Sequence, residues 1–178
     1  MGGASRARHA PGMSNTAASI APIALGAGEG EPLWFLGALV HVKADTASTA
    51  GRVAVLEHRV RRGMGSPLHV HRREDEWFYV LEGEVTFWVG GAIHVAGPGG
   101  FVYGPREIPH TFMASSDEAR FLLVTEPSTF SDFVRAASEP AARNEIPPPP
   151  TEAPDIAGLT ALAARYGVDI IGPPGIPD

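Results

Sequence analysis

The sequence predicts an all-β fold, an antiparallel jelly-roll β-barrel with one or two short C-terminal helices packed outside it. Three observations carry this expectation. From Leu33 onward, short β-branched and aromatic runs follow one another closely with no helical stretch between them. Gly, Pro, Ser or Asp occupies the breaks, and 21 glycines and 17 prolines are many for 178 residues. Only after Pro127 does alternation give way to a helical period. A chain of this length makes one well-packed domain and is short for two.

Residues 1–30 are small, polar and glycine-rich, and read as a flexible extension. The barrel is expected over residues 31–127. Its first strands are LWFLGALVHVKA and RVAVLEHRV, joined by the turn-like DTASTAG; EWFYVLEG, EVTFWVGG, AIHVAGPGG, FVYGP, HTFMAS and ARFLLVTEP follow. Residues 128–178 hold the helices and a proline-rich linker. Thr129 is the expected N-cap of the first helix, with Phe130, Phe133, Val134 and Ala137 on one face. IPPPPTEAP reads as a stiff spacer. Asp155 caps a second helix whose apolar stripe is Ile156, Leu159, Leu162, Ala163 and Tyr166, and Gly167 stops it. There is no internal repeat, hence one barrel.

Composition narrows the function. The formal charge of −6 argues against a general nucleic-acid binder, and the Arg59, Arg61, Arg62 cluster reads as a solvated strand end. With no cysteine, disulfides and thiolate metal sites are excluded, so any metal needs nitrogen and oxygen ligands. No apolar run approaches the roughly 20 residues that span a membrane. The N-terminal residues carry Arg6 and Arg8 but no apolar core of a secretory signal, and Met13 is a second candidate start, so the cytoplasm is the expected location.

The chemistry concentrates in GMGSPLHVHRREDEWFYVLEG, residues 63–83. His69 and His71 stand two apart, which in a strand puts both imidazoles on one face. That pair builds a core poorly and grips a metal well. After the turn RRED, the strand opening at Glu76 is expected to return as the antiparallel neighbour, with Glu76, Phe78 and Val80 inward and Trp77, Tyr79 and Leu81 outward. His110 opens another strand, expected across the barrel from the first pair. Three neutral imidazoles and one carboxylate suit a divalent first-row metal and leave positions open for water, substrate or dioxygen. Glu74 is the rival ligand, although a charged residue in a turn is normally solvated. His41, His58 and His94 lack this context and read as hydrogen-bonded or exposed side chains; His9 falls in the extension. Phe78, Phe87 and Phe112 read as barrel filling.

Gly63, five residues, His69-x-His71, four residues, Glu76, six residues and Gly83 together resemble the complete first motif of the cupin superfamily. Gly99, five residues, Pro105 and then His110 resemble the second. Glu107 stands where a glycine is usual, and Ala114 where an asparagine often follows. The helix after Pro127 and the tail RYGVDIIGPP resemble single-domain proteins of the quercetin dioxygenase-like branch. The resemblance implies a metal held by His69, His71, Glu76 and His110, the ion being Fe, Mn, Ni, Co, Cu or Zn. It implies a metal-dependent oxidoreductase, a dioxygenase acting on a small aromatic or enol-type substrate such as a flavonol, with Glu76 as both ligand and catalytic base. The alternatives are a non-redox isomerase, cyclase or lyase of a polyketide-like substrate, and a small-molecule-binding barrel without catalysis. Such barrels are often homodimers, and an exposed sheet edge gives a physical reason for pairing.

Overall fold

Twelve strands and two helices follow one another along the chain in a computed structural model that describes residues 20–151 and 153–177. His9, Met13 and most of the expected N-terminal extension lie outside the described residues. The strands are β1 (Glu31–Phe35), β2 (Ala38–Ala44), β3 (Ala54–Arg61), β4 (Pro67–His71), β5 (Asp75–Glu82), β6 (Val85–Val89), β7 (Ala92–Ala96), β8 (Phe101–Gly104), β9 (His110–Ala114), β10 (Glu118–Glu126), β11 (Ser138–Pro140) and β12 (Val168–Pro174). Helix α1 (Phe130–Ala136) follows β10, and α2 (Ile156–Arg165) precedes β12.

All pairings are antiparallel and form two sheets, a seven-stranded one ordered β11-β1-β2-β3-β10-β5-β8 and a five-stranded one ordered β12-β4-β9-β6-β7. The inner faces meet as the jelly-roll barrel that the alternation predicts. On β5, Glu76, Phe78 and Val80 are buried while Tyr79 is exposed. Trp77 lies on the outer face and stacks on Tyr103 of β8. Inside the barrel, Phe78, Phe87, Phe112 and Phe121 pack with ring centroids 4.9–6.2 Å apart, in tilted and edge-on arrangements. Each buried phenyl contributes about 1.5–3 kcal/mol, so this cluster is the main apolar anchor between the sheets.

Three local features depart from the expectation. The run LWFLGALVHVKA is two strands, because Leu36 (φ 48°) and Gly37 (φ 85°) make a two-residue hairpin turn inside it. The C-terminal segment adds an edge strand to each sheet: β11 pairs with β1, and β12 pairs with β4. The residues SEP and VDIIGPP are too short or too poor in alternation to announce themselves. The third concerns Thr129, whose hydroxyl makes no cap bond to α1. Asp155 does cap α2, accepting from the Gly158 amide at 2.9 Å. Phe130, Phe133 and Val134 of α1 are buried as the helical period predicts, whereas Ile156 of α2 is exposed. The arginine cluster is a strand end tied to Glu118 and Asp117. Among the described residues, no helix is long and apolar enough to cross a membrane.

Candidate metal centre

Strand β4 turns His69 and His71 to the barrel interior, and both are buried. His110, first residue of β9, is the direct cross-strand partner of His69. Glu76 arrives from the opposite sheet on β5. This reverses the expected placement: the histidine is the neighbour and the carboxylate lies across the barrel. The reason is topological, because the chain crosses between sheets at Arg72–Glu74, so β5 pairs with β10 and β8 and never with β4.

The four side chains converge, each offering a ligand atom within 4.8 Å of the others. The His69 and His110 rings are 4.4 Å apart, and His71 lies parallel to His110. Each imidazole is oriented through Nδ1. His69 Nδ1 bonds the Pro67 carbonyl at 2.7 Å, His110 Nδ1 the Ile108 carbonyl at 2.8 Å, and His71 Nδ1 the Glu74 carboxylate at 3.2 Å. An Nδ1–H committed to an acceptor leaves the Nε2 lone pair for the centre, the usual arrangement of metal-bound histidine. Glu76 Oε2 lies 2.8 Å from His110 Nε2. Glu76 Oε1 and His71 Nε2 are 3.3 Å apart, yet both are buried without a hydrogen-bond partner. Two orphaned polar atoms facing each other in a dry interior are costly unless a cation joins them. The donor set therefore fits a divalent ion held by nitrogen and oxygen.

Electrostatics agree. Burial pushes Glu76 up, but His71, His110 and His69 together outweigh it and hold the carboxyl at about 2. Burial, reinforced by His110 and His71, holds His69 down at about 3. His71 goes the other way: burial lowers it, and the Glu76 and Glu74 carboxylates outweigh that and raise it. His69, neutral beside the ionised Glu76 carboxylate, is in the protonation state that metal coordination needs, whereas His71 has to release its proton to bind through Nε2.

Two residues were misread from sequence. Glu74 is fully buried, not solvated, and lies outside the converging group; it accepts from His71 Nδ1 on one oxygen and from the Thr129 hydroxyl on the other. The missing cap of α1 is thus explained, since Thr129 serves Glu74. Just beyond it, Phe130 packs edge-on against the His71 ring, with centroids 4.8 Å apart. His58 is the second. It is buried, its Nδ1 has no partner, and its ring stacks flat on Phe121 at 5.1 Å. The signal was present, because Leu56, His58 and Val60 share one face of β3, and Leu56 and Val60 are core. His41 bonds Asn144 at 2.7 Å and His94 is exposed, as expected of them.

A cavity of about 60 Å³ adjoins the centre, with His58, His69 and Glu76 in its wall and Phe112, Leu123, Phe130 and Phe133 supplying apolar surface. Helix α1 therefore supplies part of the wall of this cavity. Leu36, Met64, Gly65 and Pro67 border both this cavity and an apolar surface groove flanked by Trp34, Leu159 and prolines 147–150.

Comparison with known proteins agrees with this geometry. Residues 56–125 match the cupin domain family. Over 119 residues the chain is 29% identical to quercetin 2,3-dioxygenase of Bacillus subtilis, an alignment covering 67% of this chain; the chain spans only 35% of that relative's length. An oxalate decarboxylase variant of Bacillus subtilis superposes with a TM-score of 0.55 at 22% identity, covering 65% of this chain and 32% of the other. A predicted oxalate decarboxylase of Thermotoga maritima gives 0.55 at 17% identity, over 59% and 99%. At these identities the two structures speak to the fold alone. Motif residues, barrel and domain match agree that residues 56–125 form a cupin domain.

Proposed function

We propose that the protein is a metal-dependent dioxygenase-like cupin acting on a small aromatic or enol-type substrate such as a flavonol. The observation that carries the reading is the buried three-histidine, one-carboxylate centre opening onto a cavity walled by phenyl rings. The partial likeness to a quercetin dioxygenase supports the same substrate class. His69, His71 and His110 would hold the ion through Nε2, with Glu76 completing the set. When bound, such an ion supplies Lewis acidity and, where redox-active, one-electron chemistry with dioxygen.

The chain's own groups do the rest. Phe112, Phe130 and Phe133 sandwich a flat ring and exclude water, which strengthens every polar contact inside. Glu76 Oε1, with no partner of its own, is placed to accept the proton of a substrate hydroxyl. The enclosed space takes only the reacting end of a flavonol-sized molecule. The remainder would pass between Leu36 and Met64 into the outer groove.

The test is oxygen uptake by protein reconstituted separately with Fe, Mn, Ni, Co, Cu and Zn, using 3-hydroxyflavone against flavone, which lacks the hydroxyl. The reading expects uptake with at least one redox-active metal, dependent on the hydroxyl and abolished by Glu76→Gln. Binding of 3-hydroxyflavone without uptake under any metal overturns it. Turnover of an enol substrate by the zinc form without oxygen would instead support the isomerase, cyclase or lyase reading.

A further inference from the structure

We propose that His58 is the substrate's second polar anchor, a specificity-determining hydrogen-bonding group set apart from the metal ligands. The inference rests on reading the cavity as a substrate site. It follows from an accounting of the polar groups in the cavity wall. Those with polar side chains are His58, Ser66, His69 and Glu76. His69 and Glu76 belong to the converging metal group. Ser66 is engaged with Thr111 and the Phe112 amide. That leaves His58, whose ring is buried and whose Nδ1 makes no hydrogen bond of good geometry among the described residues, the Leu56 carbonyl exerting only a weak pull on it.

The contrast with its neighbours is informative. His69, His71 and His110 each have Nδ1 pinned by a carbonyl or carboxylate. His58 is instead held by its face, with an angle of 5° to Phe121. Stacking fixes the plane of the ring and leaves its edge short of a well-formed hydrogen bond. A buried imidazole with an unmet polar edge is costly to keep, and most such groups in folded proteins have a partner. Ligand oxygen supplies that partner without altering the fold. The ligand class follows: a flat, mostly apolar molecule with one oxygen on the metal side and a second hydroxyl or carbonyl within reach of His58. Discrimination by such a group is strong, because an analogue lacking the second oxygen leaves the imidazole unpaired again.

The experiment uses the cobalt-loaded protein, its metal content verified, and a positional set of probes: phenol, catechol, resorcinol and hydroquinone. Binding is read from the cobalt visible bands and by calorimetry. The proposal expects at least one dihydroxybenzene to bind about tenfold or more tighter than phenol. It expects His58→Phe, which keeps a ring on Phe121 but no ring nitrogen, to erase that preference, measured against phenol within each protein, with metal content unchanged. His58→Gln, which retains donor and acceptor, should keep part of the preference and guards against misfolding of the phenylalanine variant. A preference of equal size in wild type and His58→Phe overturns the role of His58 alone. A wild type that binds phenol and the diols alike does the same. If none of the four probes binds to the metal-loaded wild type, the aromatic-substrate reading falls and His58 with it.

Discussion

Glu74 offers the sharpest test of how the fold serves the centre, because its side chain touches His71 of the converging group and Thr129 at the start of helix α1 at once. It accepts from His71 Nδ1 and from the Thr129 hydroxyl, and it has no solvent exposure. Glu74→Gln keeps the volume and permits both contacts, with the amide oxygen facing His71 and the amide nitrogen facing Thr129. Only the charge is lost. A charge-assisted hydrogen bond is worth about 1.5–3 kcal/mol and a neutral one about 0.5–1.5, so metal affinity should fall roughly tenfold. Glu74→Ala removes both contacts, frees the His71 ring to turn and strands two buried polar atoms. Its cost should reach about 2–3 kcal/mol in metal binding, near a hundredfold, the upper end of what outer-sphere partners of metal-bound histidine contribute. Competition of zinc or cobalt between the protein and a chromophoric chelator measures both variants, with circular dichroism confirming the fold. Affinity of folded Glu74→Ala within threefold of wild type would refute the argument that the carboxylate orients His71.

Three further outcomes follow from packing and charge. Gly83 has φ 73°, and a Cβ there would lie 2.2 Å from the Glu118 carbonyl oxygen, so Gly83→Ala should cost at least about 2 kcal/mol by urea denaturation; a loss under about 0.5 kcal/mol contradicts the close approach. Glu107 adopts φ 65° where the cupin pattern has glycine, and its ion pair with Arg72 is solvent-exposed, so Glu107→Gly should leave the urea midpoint nearly unchanged; a clear fall assigns that ion pair an unexpected weight. Burial, only partly opposed by Glu76 and the Leu56 carbonyl, holds His58 at about 4 against an ordinary 6.5. Between those values the unfolded chain takes a proton that the folded protein refuses. The metal-free protein should therefore lose about 2–3 kcal/mol through this residue on acidification across that window, with His58→Phe showing a correspondingly shallower decline. Parallel pH profiles for the two proteins would rule it out.

What the chain reveals before folding is what depends on neighbours in sequence. His69 and His71 share a face because alternation is a property of any strand, and Phe78 and Val80 turn inward with Glu76 for the same reason. Pairing partners are another matter. Glu76 follows His71 by five residues yet sits in the other sheet, since the short stretch between the two strands can either close a hairpin or carry the chain across a jelly roll. Glu74 looks like a solvated turn residue because the hydroxyl that permits its burial, on Thr129, is 55 positions away. Leu36 conceals a hairpin because a leucine at positive φ has no sequence signature, and only Gly37 beside it hints at the turn. His58 is the instructive miss: its period-2 kinship with Leu56 and Val60 marks it as inward, and a general expectation about histidines in strands obscured that mark.

The proposed chemistry depends on the four converging side chains binding one ion. Elemental mass spectrometry of the purified protein, beside a His69→Ala/His71→Ala variant shown to be folded, measures this directly. The account predicts about one equivalent of a divalent transition metal in the wild type and essentially none in the variant. Absence of metal from the wild type after reconstitution with each candidate ion, or retention of a full equivalent by the variant, would contradict it.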